Sequence, residues 1–243
     1  MNMGLLDLPA PLFGAIEAAV AVYAPPILRL VLWAAVGALI SIELYRLLSP
    51  QRRITAAAAD LRQAQFALNG FDGEFQDAVP LMGRMLRAAG QRLALVFPAA
   101  IAASLPMLAL LVWLDSTYGS KFPEPGQTVA VRTEVPNLDA RWQGVGGGAA
   151  GEVVVVDETR TPVVRAPVPA PVPVIHKRQW WNTLIGNPAG YLPKDAPVER
   201  IDIELPRREI LSLGPSWMRG WEAPFFLLFL VFALLTKWAR KVV

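Results

Sequence analysis

The stretch LALVFPAAIAASLPMLALLVWL, Leu93–Leu114, carries no charged side chain, and its reading decides the fold. An apolar run of about 20 residues is long enough to cross a bilayer as a helix. Two further apolar runs flank it at a distance, Ile27–Tyr45 and Ala223–Thr236. The expected fold is an α-helical membrane protein with three transmembrane helices. The third run is short for a crossing. Trp217 and Trp221 before it and Trp238 after it are interfacial anchors by type and place, so counting from Trp217 to Thr236 gives sufficient length. Local thinning of the bilayer is the other way to accommodate it.

Composition supports a chain that is only partly in lipid. Hydrophobic residues make up 54% and the mean hydropathy is +0.38, high for a soluble protein and low for spans alone. The +3 formal charge and pI near 9.4 do not indicate a nucleic-acid surface, because the basic residues cluster beside the apolar runs, where they act as topology signals. With no Cys and one His, disulfides and thiolate metal sites are excluded. No basic n-region or small-residue cleavage site precedes Ile27, so a cleaved signal peptide is not expected.

The segments between the runs divide the chain as follows. Residues 1–26 form an external amphipathic segment, a short helix at the membrane surface stopped by Pro25-Pro26, with a disordered leader the open alternative for residues 1–10. Residues 27–48 are the first transmembrane helix, 49–92 a cytoplasmic helical hairpin, and 93–114 the second span, in which Pro98 and Pro106 predict a kink. Residues 115–216 form an extracytoplasmic β-rich domain, and 217–243 the third span with a cytoplasmic tail. Orientation follows from the cations. The first insert holds Arg46, Arg52, Arg53, Arg62, Arg84, Arg87 and Arg92, and the tail adds Lys237, Arg240 and Lys241. The first 26 residues hold no Lys or Arg. Positive-inside then puts the N-terminus outside and the C-terminus in the cytoplasm.

In the first insert, Ser49 reads as an N-cap with Pro50 at the first helical position. Ile54, Ala58, Leu61, Gln65 and Leu68 form its helical stripe, and Asn69–Gly73 a turn. The result is a coiled-coil hairpin whose role is either structural, hiding one apolar seam, or functional. In the functional case Met82, Met85 and Leu86 offer a cationic, Met-bearing surface for client segments, with the ribosome a partner of the same basic surface. Arg29 and Glu43, near the two ends of span one, either snorkel to headgroups or turn a polar face into a water-filled groove.

The outer insert alternates as strands do at Thr128–Glu134, Glu152–Asp157 and Arg200–Leu205, with a flexible loop at Gly144–Gly151. Prolines at 162, 167, 169, 171 and 173 exclude a central strand and predict polyproline-like chain or a sheet edge. His176 is expected to be a surface residue. Asp157 and Glu158, adjacent on a strand, would point to opposite faces, poor geometry for acid–base work. No phosphate-binding glycine loop and no nucleophile elbow occur. The chain is therefore expected not to be an enzyme, and to need no cofactor or metal.

The order of these elements, with the first span running into LYRLLSPQRRI (Leu44–Ile54), resembles the YidC/Oxa insertase superfamily. The likeness is closest to the short archaeal YidC-like proteins and the third subunit of the ER membrane complex. It covers about residues 5–115 and 217–241 and leaves the β-rich insert unmatched. The resemblance implies three spans around an open polar groove, for which Arg29 is the one candidate positive charge of span one, and a multi-pass protein of the bacterial inner membrane. It implies an insertase or membrane chaperone whose partners are lipid and nascent or client membrane proteins. A different class stays open: a non-catalytic structural subunit of a bacterial envelope complex, binding a protein partner through the external domain.

Overall fold

The computed structural model describes residues 2–145 and 150–241. The elements in chain order are α1 (Ala10–Ala21), α2 (Pro26–Leu48), α3 (Gln51–Asn69), α4 (Phe75–Tyr118), β1 (Val131–Thr133), β2 (Asp139–Val145), β3 (Ala150–Val156), β4 (Pro162–Val168), β5 (Val174–His176), β6 (Arg200–Ile203), α5 (Ser216–Arg219) and α6 (Glu222–Arg240), with short 3-10 turns at Leu5–Asp7 and Trp180–Thr183. The helices α2, α4 and α6 are each long and apolar enough to cross a membrane. The chain is a membrane protein. It divides into two compact units, one made of the residues up to Val31 with Leu108–Phe226, the other of Leu32–Met107 with the chain from Leu227 onward.

The first unit contains the β-rich region. Two three-stranded antiparallel sheets, ordered β1-β6-β5 and β2-β3-β4, share one core. Strand alternation explains it. Val164, Ala166 and Val168 of β4 point inward, while Val163, Arg165 and Pro167 point out. The inward set faces Val153 and Val155 of β3, paired as Val153↔Ala166 and Val155↔Val164. Ile175, Ile201 and Ile203 of the other sheet complete the core. Burying each such side chain contributes about 1.5–3 kcal/mol. The proline-bearing strand β4 is a sheet edge, where a missing N–H breaks no ladder.

Several expectations shift by measurable amounts here. The strand expected at Thr128–Glu134 contracts to Val131–Thr133. The Gly144–Gly151 loop is shorter than its composition suggested, because Gly144↔Gly151 and Val145↔Ala150 still pair; its centre, 146–149, lies outside the described residues. Asp157 is not a strand residue but the cap of the β3–β4 turn, where its carboxylate accepts bonds from the Thr159 amide (2.9 Å), the Thr159 hydroxyl (2.6 Å) and the Thr161 amide (2.8 Å). Trp217 belongs to the separate helix α5, because Gly220 is extended and ends it, so the third span begins at Glu222.

In the second unit, Ile54, Ala58 and Ala64 are the buried positions of α3. Ala64 takes the place assigned to Gln65, which is exposed, because the polar amide gains nothing from a dry seam. Ser49 is not the N-cap. Pro50 holds that position with no side-chain bond, and the buried Ser49 hydroxyl is met by the Gln51 amide instead. No break separates hairpin from span at residue 92: α4 is one helix of 44 residues with Pro80, Pro98 and Pro106 inside it. At 1.5 Å per residue it is about 66 Å long against about 30 Å of hydrocarbon, so roughly half of it stands outside the bilayer core. Ala34 and Ala38 of α2 and Ala99 and Ala103 of α4 are buried pairs of small residues, the type that lets helix backbones approach closely in lipid.

Replacing Ile201, fully buried in β6, by Ala should cost the β-rich region about 2–5 kcal/mol. Faster hydrogen exchange across β5 and β6, with α3 unaffected, is the expected result. Asp157 gives a pH test. The Thr159 hydroxyl first, then the Thr161 amide, hold its carboxyl below the ordinary 3.8. A depressed folded-state pKa means that the turn is stabilised above 3.8 and loses this support as pH falls through the lower value. Amide protection of Thr159 and Thr161 should therefore fall in that acid window, and Asp157→Asn should remove the dependence.

Candidate functional site

One face of α4 is apolar and uncovered over many turns. Phe75, Val79, Met82, Leu86, Leu93 and Phe97 are all exposed, Phe75 by 72% and Leu86 by 67%. Their steps of three, four and seven residues keep them on one side of a helix. Gly83 and Gly90 lie on the same side with open space where a Cβ would stand. The track begins in the hairpin and enters the second apolar run without interruption. Of the three residues picked from the sequence, Met82 and Leu86 lie on the track, whereas Met85 is half-buried beside it. Arg84 and Arg87 are exposed around the helix from the apolar face. In the apolar windows of α2, α4 and α6 only 28%, 22% and 11% of the residues are buried, so most of that surface is left to lipid or to another apolar chain.

Glu43 closes one end of the same unit. Its carboxylate meets the Arg46 guanidinium at 2.8 Å and Arg240 Nε at 2.5 Å. The first pair lies within α2; the second joins the C-terminal part of α2 to the last turn of α6. Cations at helix C-termini are favourable in themselves, so Glu43 is the centre of a cationic clamp rather than a lone acid in a groove.

Arg29 has a different fate from either expectation. In the first unit its Nη1 lies 2.7 Å from Glu17 Oε1, and both side chains are nearly buried, at 12% and 11% exposure. The same Glu17 oxygen accepts the hydroxyl of Tyr118, which has no exposed surface. Around this knot Phe13 packs edge-on to Trp113 at 5.6 Å, Trp113 packs on Tyr118 at 6.5 Å, and Leu30 and Leu114 are fully buried. Arg208 covers the Tyr118 ring at 5.6 Å and donates to the Thr117 carbonyl at 2.9 Å. Arg29 is thus neither snorkelling to headgroups nor offering its charge to a client. Glu17 went unassigned in the sequence, and the signal was present: it is the one acid of α1, twelve residues before Arg29, the first cation of the chain.

A cavity of about 920 Å³ lies in the same unit, lined by the apolar Leu111, Val112, Trp221 and Phe226 and the acidic Asp115, Asp202, Glu204 and Glu222. Arg207, also in the lining, donates to Glu222 at 2.6 Å. His176, expected at the surface, is half-buried between Trp181 at 5.0 Å and Tyr191 at 5.7 Å, with Nδ1 against the Lys177 carbonyl at 2.7 Å. The Tyr191 hydroxyl is pushed above its ordinary value of 10.0, chiefly by burial. Among the described residues no three metal-ligating side chains come together.

Comparison of the chain with models of protein families, with curated proteins and with solved structures returns no match.

Removing one member of the Glu17–Arg29 pair strands a desolvated charge, so Arg29→Ala and Glu17→Ala should each cost about 3–5 kcal/mol. Replacing the whole knot, Glu17→Leu with Arg29→Met and Tyr118→Phe, should restore much of the loss, because no buried charge or hydroxyl is then left without a partner. Thermal unfolding in detergent micelles of the two single variants and the triple reads this directly, and equal melting points throughout would refute the coupling.

Proposed function

We propose that this chain is an insertase or membrane chaperone of the bacterial inner membrane, with its N-terminus outside, its helical hairpin and C-terminus in the cytoplasm and its β-rich region outside. The observation that carries the reading is the apolar track of α4, which runs from the hairpin into the second span. An apolar client segment meets the track at Phe75–Leu86, remains covered as it moves, and passes to Leu93 and Phe97 at the start of the lipid-crossing run. The gain is the burial of apolar area, and the obstacle is the client's charged flank, costly at the bilayer centre. Exposed arginines beside the track attract acidic flanks and lipid headgroups on that side. The order of elements along the sequence resembles that of the YidC/Oxa superfamily, which supports the same reading. The charge that such a groove would take from Arg29 is absorbed by Glu17, so the mechanism rests on the track and on sparse packing of the spans, not on a positive charge in span one.

A second reading, a structural subunit of an envelope complex, is supported by the separate core of the β-rich region and the 920 Å³ cavity that it lines together with α4 and α6 residues. The two readings part on where substitutions act.

Met82→Asp with Leu86→Asp places charge on the track outside the apolar run. Reconstituted in liposomes, this variant should insert a single-span client roughly tenfold less well than the parent, the effect of losing contacts worth about 1.4 kcal/mol or more. Its helix content and melting point should be unchanged. Insertion at the parent's rate would remove the insertase reading. Tags near Gly70 and at the C-terminus should be protected together in right-side-out vesicles, and a tag near Gly147 should be cleaved.

A further inference from the structure

The β-rich region carries an exposed apolar tip that no core explains. Trp180 is 81% exposed, Leu184 47%, Trp181 39% and Ile185 39%, all within one short loop. The loop is built rather than slack. Fully buried Asn182 accepts the Gln179 amide at 2.7 Å and donates to the Ile185 carbonyl at 3.1 Å, and Asn187 donates to the Val174 carbonyl at 2.9 Å. Three hydrogen bonds thus fix the backbone that presents four large apolar side chains to the outside. Exposing them is a stable feature of this fold, and contiguous exposed apolar surface marks an interaction site.

The N-terminal segment is fastened to this loop and enlarges the surface. Leu6 donates its amide to the Leu184 carbonyl at 2.9 Å, Asp7 accepts the Gly186 amide at 2.7 Å, and Asn187 donates to the Asn2 carbonyl at 3.0 Å. Gly4 lies so close that a Cβ there would stand 2.5 Å from the Leu184 backbone. Docking brings Leu5, 61% exposed, beside the tip, and Leu8 and Leu12 follow it at 67% and 62%. The same segment continues through α1 and Pro25 directly into α2, a membrane-crossing helix.

We infer that the Trp180–Ile185 loop and the docked Leu5–Leu12 segment form one membrane-binding surface, seated in the headgroup layer of the leaflet that α2 enters. The occupant is lipid because the surface is covalently continuous with a spanning helix and has tryptophans at its tip, the residue type that favours the interface. Arg178, exposed beside Trp180, supplies a cation for phosphate headgroups. This surface is independent of the insertase reading, since it contains none of the α4 track.

The absence of Cys makes the test clean. Trp180→Cys, Leu184→Cys and Glu158→Cys, the last on the exposed β3–β4 turn, are each labelled with an environment-sensitive nitrobenzoxadiazole dye. The full-length protein is then reconstituted into vesicles of phosphatidylethanolamine and phosphatidylglycerol. Labels at 180 and 184 should emit at shorter wavelength, be quenched by nitroxide at the headgroup or upper acyl chain, and resist iodide. The label at 158 should show the reverse. Iodide quenching at 180 and 184 equal to that at 158 overturns the proposal, as does lipid quenching of all three alike. A protein partner as the true occupant would give the first of these outcomes in pure lipid vesicles.

Discussion

A single carboxylate oxygen, Glu17 Oε1, accepts from Arg29 and from Tyr118, and so ties α1, the first turn of α2 and the last turn of α4 to one point. The setting is nearly dry: an ion pair there is strongly favoured over either charge alone, and a phenol that has lost water needs an acceptor. The N-terminal segment is held at both ends, by this pair at α1 and by the hydrogen bonds of Asn2, Leu6 and Asp7 to the loop of the β-rich region. Fastenings spread along one short segment leave it little freedom to leave that loop.

This constraint changes how charge in the first span is understood. An arginine near the end of an apolar helix invites a role in handling polar cargo, and the same residue closed on a glutamate is a structural fastener. The partner's position decides between them, not the arginine's depth. Glu43 teaches the same lesson, being enclosed by Arg46 and Arg240. With both ionic candidates paired in the structure, the proposed function rests on the apolar face of α4.

Much of the architecture was legible in the sequence because lipid imposes a coarse rule. Length and absence of charge identify Leu93–Leu114 whatever its neighbours do, and five prolines limit Thr161–Val174 to polyproline-like chain or a sheet edge, of which the edge is seen at Pro162–Val168. What was not legible depended on tertiary partners. Glu17 meets Arg29 only because the chain reverses at Pro25, and Asp157 became a turn cap only because Thr159 and Thr161 turned their donors toward it. The division of α4 into hairpin and span was a difference of solvent, which leaves no mark on helical hydrogen bonding. Met82 and Leu86 were found by composition, but the track joining them to Phe97 needed exposure along the whole helix.

The prolines of β4 also govern how copies of this protein behave toward each other while folding. An open strand edge is a template: any extended chain with matching donors and acceptors can lengthen the sheet, and repetition of that step yields fibres. With Pro162 and Pro167 in the strand and Pro169, Pro171 and Pro173 beyond it, an incoming chain finds interrupted donors along that margin. A crowded compartment, where many unfinished copies meet, is where such an interrupted margin matters most.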